Sequence, residues 1–215
     1  EVVEVVKAKR TGDERVFEIP KLCPVCGEEL ERIGDEVALR CTNSNCPAQR
    51  LRSVIHFVSK DAMDVDGLGP AIVEKLLDKG KIDDCADLYG LKEEDLLELD
   101  GFADKSASNL INAIAESKSR GLDRVLTGLG IRLIGGGAAV LLAEKYGDID
   151  KLMSADAEDI ASIPDIGGKM ADSVAHYFSE EKSKTIIDKL KGYGVNLTYE
   201  SAEKGDVLEG LTFVI

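Results

Sequence analysis

The 215-residue sequence predicts a mainly α protein: a small ribbon tied by four cysteines, followed by a helical domain of four helix-hairpin-helix repeats, with short β segments at both ends. Three observations predict it. Four of the five cysteines fall between positions 23 and 46. Beyond residue 60 the apolar residues take helical spacing and strand-like runs become rare. In that same region a short glycine-bearing pattern returns every 32 to 34 residues.

Composition narrows the classes. With 44 % hydrophobic residues the chain has enough apolar surface for one or two compact domains. No window approaches the ~20 consecutive apolar residues of a spanning helix, and EVVEVVKAKR has neither a leader pattern nor an initiating Met. The expectation is an intracellular protein, away from membranes, that is part of something larger. Twenty-seven Lys and Arg against 41 Asp and Glu leave a net charge of −14. That balance opposes any general electrostatic attraction to nucleic acid or acidic lipid.

Residues 1–20, EVVEVVKAKRTGDERVFEIP, alternate apolar and polar residues as strands do, but are too few for a sheet domain of their own. Residues 21–59 hold the cysteines. Cys23 and Cys26 form a CxxC, fourteen residues intervene, and Cys41 and Cys46 form a CxxxxC. Two short thiolate-bearing turns at this spacing suit tetrahedral Zn2+, with sulfur at about 2.3 Å. All four positions are then filled by protein, so the metal is structural, and binding energy on the order of 10 kcal/mol folds the segment around it. ELERIGDEVALR, between the pairs, reads as a hairpin turning at Gly34 and Asp35. The competing reading is two disulfides in a secreted domain, against which stand the spacing and the missing leader. Cys85, apart in IDDCADLYGL, reads as a small buried apolar residue.

Residues 60–190 carry the repeat. DVDGLGPAIVEKLL, ELDGFADKSASNLI, GIRLIGGGAAVLLA and SIPDIGGKMADSVA align at Gly69, Ala103, Gly135 and Gly167, with spacings of 34, 32 and 32 residues. A Gly-apolar-Gly hairpin between helices allows positive φ and leaves the next helix's first N–H groups pointing outward. Such amides, at the positive end of a helix, hold a phosphate without a basic side chain. Residues 61–190 contain 15 basic and 27 acidic side chains, so any such grip on nucleic acid is local, at the hairpins. The candidate DNA-binding residues are Gly67, Leu68, Gly69, Gly101, Phe102, Ala103, Lys105, Arg132, Gly135, Gly136, Ile166, Gly167 and Lys169. Lys105 and Lys169 fall two positions after their hairpin ends, and Arg120, Arg124 and Arg132 could extend the path. The first hairpin has both glycines. Ala103 replaces the second in unit two, and Leu133 and Asp165 replace the first in units three and four, Asp165 being an awkward neighbour for phosphate. The plainer alternative is that the glycines only let helices pack closely.

The order CPVC, CTNSNCPAQ, HFVSKDAMDVDGLG, DLYGL and the four hairpins, GLGIRLIG among them, resembles the C-terminal half of bacterial NAD-dependent DNA ligases over nearly the whole chain. The resemblance implies that residues 1–20 are the tail of an oligonucleotide-binding (OB-fold) barrel, 21–59 a zinc finger, 60–190 a helix-hairpin-helix DNA-binding domain, and 191–215 a linker and first strand of a BRCT domain. It implies a bacterial cytoplasmic, nucleoid-associated monomer whose partners are duplex DNA, nicked during replication or repair, and the other domains of the ligase. The zinc module would be an elbow orienting the hairpins. The family's KxDG adenylation motif is missing, Lys204, Gly205 and Asp206 reading KGD, so no catalytic residue is expected here. NAD and Mg2+ would belong to the N-terminal part of such an enzyme. Two rival readings are a free-standing DNA-binding module of a repair or junction-processing complex and a protein-interaction scaffold. His56, Phe57, Val58 and Met63 are expected to pack, His176 in a final helix is given no chemistry, LKEEDLLELD is a solvated face, and Ser59 to Asp64 is a candidate hinge.

Overall fold

In a computed structural model of the chain, the structure describes residues 6–15, 17–33, 37–43 and 45–200. The chain divides into two compact units, residues 1–49 and 50–215.

In the first unit, strands β1 (Leu30–Arg32) and β2 (Leu39–Cys41) pair antiparallel with Glu31 opposite Arg40. This is the hairpin expected between the cysteine pairs; its turn residues Gly34 and Asp35 lie outside the described residues. A further bridge joins Leu22 to Glu29. The alternating pattern upstream forms no strand among the described residues of 6–20, only a 3-10 turn at Lys7–Lys9. A strand exists only where its N–H and C=O groups meet a neighbour, and Phe17 and Ile19 stand 81 % and 58 % exposed.

Helix α1 (Pro47–Phe57) runs across the division of the sequence. The second unit then contains α2 (Pro70–Asp78), a 3-10 segment at Ala86–Gly90, α3 (Glu93–Leu97), α4 (Asp104–Ser117), α5 (Leu122–Gly128), α6 (Gly136–Tyr146), α7 (Ile149–Ser154), α8 (Ala157–Ala161), α9 (Gly168–Ser179) and α10 (Glu181–Gly192). One apolar core runs from Val54 to Leu197 through all of them. Phe57, fully buried, meets Tyr89 edge-on at 6.3 Å between ring centroids, and the Tyr89 hydroxyl is 3.2 Å from Ser117 Oγ. Cys85 is buried, and burial pushes its thiol far above the ordinary range, so it is inert as expected.

Helices α5 and α6 pack closely, and α5 comes so near Phe57 that residue 128 has no room for a side chain. A Cβ on Gly128 would lie 2.9 Å from Phe57 Cδ2 and 3.2 Å from the Ala62 methyl. Gly128→Ala is therefore expected to destabilise the helical unit by about 1–3 kcal/mol from overpacking, less the ~1 kcal/mol gained in helix propensity. A thermal melt checks it; a raised Tm would contradict the packing described.

Residues 59–64, the candidate hinge, form a turn tied by backbone bonds: Met63 N–H donates to Phe57 O at 3.0 Å, Asp64 N–H to Ser59 O at 2.9 Å and Val65 N–H to Val58 O at 3.0 Å, while Ala62 and Met63 are fully buried. The helical unit also continues beyond residue 190. Val195 and Leu197 are buried in the core, and residues 195–199 form a strap. Along it Asn196 N–H donates to Lys118 O (2.8 Å) and Tyr199 N–H to Gly147 O (2.9 Å), while Thr198 O accepts from Leu122 N–H (3.0 Å) and Leu197 O from Ile149 N–H (3.1 Å). The strand expected over the last residues of the sequence lies outside the described residues from 201 onward. His176 sits in α9, the penultimate helix, 3.6 Å from Glu180 and largely exposed.

Lys189 fastens α10 to the 3-10 segment, its Nζ lying 2.8 Å from both Asp84 Oδ2 and Asp87 Oδ1. Desolvation alone would lower the Lys189 pKa, but the two carboxylates more than offset it and hold it above the usual lysine range.

Candidate metal centre and nucleic-acid interface

The Sγ atoms of Cys23, Cys26, Cys41 and Cys46 all lie within 4.8 Å of one another. Cys23 and Cys46 sulfurs are 3.9 Å apart and those of Cys26 and Cys41 3.5 Å. Tetrahedral Zn–S bonds of about 2.3 Å require sulfurs about 3.8 Å apart, so the donor set fits zinc. The backbone explains the convergence. Gly27, at φ 76°, turns the chain back after Cys26, Gly27 N–H donates to Cys23 O at 2.9 Å and Cys23 N–H to Glu28 O at 2.7 Å. Strand β2 delivers Cys41, and Gln49 Nε2 holds the Cys41 carbonyl at 3.2 Å. The amides of Cys26 and Val25 pull the Cys23 thiol down to about 7, toward the ligating thiolate, whereas desolvation leads the push on Cys41 to about 12. A bound cation's charge offsets that second cost. Apart from Cys23 and Cys46, no hydrophobic side chain is buried among the described residues of 6–49. The sulfurs and their metal are the core of this unit.

The four hairpins share one backbone. Each begins with a buried apolar residue, Val65, Leu99, Ile131 or Ile163, whose carbonyl accepts from the N–H three residues on, at Leu68 (3.3 Å), Phe102 (3.2 Å), Ile134 (3.0 Å) and Ile166 (3.1 Å). The third residue of each turn is left-handed: Gly67 at φ 79°, Gly101 at 97°, Leu133 at 67° and Asp165 at 66°. The residue after the turn is extended and caps the next helix, at φ −80° for Gly69, −131° for Ala103, −98° for Gly135 and −80° for Gly167. Only the first position of the Gly-apolar-Gly pattern therefore needs positive φ. Ala103 costs the backbone nothing, and the strain sits instead at Leu133 and Asp165, the latter a residue type that tolerates the left-handed region.

Helices α2, α4, α6 and α9 start directly after these caps, and the cap residues, three glycines and an alanine, offer their first turns no side-chain acceptor. In α4, Ser106 Oγ accepts the Ala103 N–H at 2.9 Å, so that amide is committed internally. Lys105 and Lys169 occupy the second residue of α4 and α9, matching positions in units two and four. Leu68 and Ile166 are 5 % and 3 % exposed and Phe102 is half-buried, packed against the core. Among these DNA-binding candidates, Leu68 and Ile166 can offer a partner only backbone.

The arginines divide. Arg120 Nη2 pairs with Asp64 at 2.9 Å, and Arg124 donates to the carbonyls of Asp61 and Lys60 at 3.0 and 2.9 Å. Both hold the turn at 60–64. Arg132 lies in the third hairpin, its carbonyl accepting from Ser173 Oγ at 2.7 Å. Lys75 makes the corresponding bond to Asp100 O at 2.8 Å. Lys75 and Ser173 are each the sixth residue of their helix, and each braces the neighbouring hairpin at the second residue of its turn. The helix after hairpin one thus braces hairpin two, and the helix after hairpin four braces hairpin three, joining the units in the pairs one–two and three–four. Sequence reading missed these braces, which have no motif. His56 packs as expected, its Nε2 2.9 Å from Thr127 O, and in the acidic stretch Asp95 is drawn into a pair with Lys81 at 3.0 Å.

Comparison with known proteins follows the same divisions. Residues 23–48 match the NAD-dependent DNA ligase C4 zinc finger domain. Residues 59–116 match the SAM-like helix-hairpin-helix tandem and 124–187 the helix-hairpin-helix motif, one match for each pair of units. Along its whole length the chain is 54 % identical to a DNA ligase of Thermoanaerobacter pseudethanolicus, 50 % to one of Caldicellulosiruptor bescii and 48 % to one of Carboxydothermus hydrogenoformans. It spans about a third of their length, 33 %, 32 % and 32 % respectively.

Proposed function

Because the chain belongs to the NAD-dependent DNA ligases as their zinc-finger and helix-hairpin-helix portion, we propose that it holds duplex DNA at a nick while chemistry proceeds elsewhere in the enzyme. One observation carries the reading: four turns of like backbone each open a helix behind a Gly or Ala cap that offers its first amides no side-chain acceptor, α2 supplying them from Ala71 on since Pro70 has none. Those amides and the helix dipole hold phosphate oxygens locally, which reconciles DNA binding with a net charge of −14. Lys105 and Lys169 add a cation beside two of the four sites. NAD and Mg2+ act through the rest of the ligase, since this sequence contains no KxDG lysine to accept AMP. On the same reading residues 1–20 leave an oligonucleotide-binding barrel, residues beyond 200 enter a BRCT domain, and the protein works as a bacterial monomer on the nucleoid.

Fluorescence anisotropy of the zinc-loaded chain on nicked duplex, intact duplex and single strand, across a salt series, tests the proposal. Saturable duplex binding is expected, with a shallow log–log salt slope of about −3, because few cations, Lys105, Arg132 and Lys169, displace counterions while amides supply the rest. Absence of duplex binding at low salt would instead favour a protein-interaction scaffold.

A further inference from the structure

The four sulfurs of the metal centre are equal as ligands and unequal in access. Cys23 and Cys46 are 7 % and 0 % exposed, whereas Cys26 and Cys41 are only partly covered. The two partly covered sulfurs are also neighbours, 3.5 Å apart, closer than the 3.9 Å between the two buried ones. Exposure and proximity therefore select the same pair. Its members come from different halves of the cluster, Cys26 from the CxxC turn and Cys41 from the end of β2.

A cysteine reacts with a peroxide only when it is deprotonated and within reach. With zinc bound all four sulfurs are thiolates, so charge does not choose between them and access does. The fifth cysteine stays out of the reaction: Cys85 is 6 % exposed, and burial holds it as the protonated thiol.

We propose that Cys26 and Cys41 are a peroxide-reactive pair whose oxidation to a disulfide opens the metal centre, which makes the zinc unit a redox switch. The thiolate of one takes an oxygen from a hydroperoxide and becomes a sulfenic acid, while the O–O bond breaks and hydroxide or alkoxide leaves. The thiolate of the other attacks that sulfur, the S–S bond forms, and hydroxide leaves. Two electrons pass from the sulfur pair to the peroxide, and no other reactant is needed. The centre then has two donors, Cys23 and Cys46, too few for a closed zinc site. No other hydrophobic side chain is buried among the described residues of 6–49, so loss of the metal unfolds the unit. The core of the helical unit contains no described residue of the first unit, and its hairpins stay built. Oxidation thus disables one part and spares the other, and a dithiol reductant restores the ligand pair. The inference holds whatever the hairpins bind.

Titration of the zinc-loaded chain with hydrogen peroxide tests it, with zinc content measured after desalting and linkages mapped by mass spectrometry with fragmentation of unreduced peptides. About one zinc should leave per peroxide consumed, Cys26–Cys41 should be the first disulfide, and Cys85 should remain a thiol. The helical signal in far-ultraviolet circular dichroism should persist while the Cys23 and Leu30 amides lose exchange protection. Dithiothreitol with added zinc should then restore both the metal and the protection. A first disulfide between Cys23 and Cys26, or between any other two cysteines, overturns the choice of pair. Zinc that stays bound in the oxidised chain overturns the switch, as do four ligand cysteines that survive excess peroxide unchanged.

Discussion

Chelating the metal from the four-cysteine unit should unfold residues 22–48 and leave the helices of residues 60–199 standing. The asymmetry follows from what each part buries. The core cluster contains no described residue of the first unit, and the only buried hydrophobic residues that unit shows among those described are Cys23 and Cys46. Four-cysteine zinc contributes on the order of 10 kcal/mol, more than a three-residue hairpin holds without it. Hydrogen exchange should therefore show protection lost at the Cys23, Gly27 and Leu30 amides after chelation, with Leu126 and Leu142, both fully buried, protected as before. Retained protection in the cysteine unit would mean that the metal is not its core. Loss in both would mean that the two parts do not fold independently.

Gly67→Ala and Gly69→Ala should part company although they are two residues apart in one motif. Gly67 stands at φ 79°, where alanine costs about 1–2 kcal/mol. Gly69 is extended at φ −80°, its Cβ position faces open space, and unit two already places Ala103 there. Stability of Gly69→Ala should stay within about 0.5 kcal/mol of the parent. If the hairpins grip DNA, Gly67→Ala should also bind duplex about tenfold more weakly, because the turn that aims the first amides of α2 is displaced. Equal melting temperatures for the two variants would contradict the turn geometry.

The zinc ligands, the helical class and the four repeat positions were all legible in the sequence, for one reason: each rests on residue type at fixed spacing. Cysteines at 23, 26, 41 and 46 leave few alternatives, and the turn pattern of VDGLG, LDGFA, IRLIG and IPDIG survives its substitutions. What spacing does not encode was misread. Two glycines looked equally necessary when only the first is left-handed, because φ is a property of the turn and not of the letter. The bonds of Arg120 to Asp64 and of Arg124 to Lys60 O were not legible, because a free cation and a bonded one are written alike. Residues 59–64 read as a joint because what ties the carbonyls of Lys60 and Asp61, Arg124, lies some sixty positions away. The lateral bonds of Lys75 and Ser173 were invisible for the same reason.

The strap at residues 195–199 has a consequence for how the protein is made. Its bonds reach back to Lys118, Leu122, Gly147 and Ile149, so the junctions between α4 and α5 and between α6 and α7 receive their last partners only when the ribosome has delivered residue 199. Each pair of hairpins can condense as it emerges, from contacts within about sixty residues, and α5 can dock on Phe57 and Ala62 at once. The strap comes last, a closing tie laid over halves that already touch.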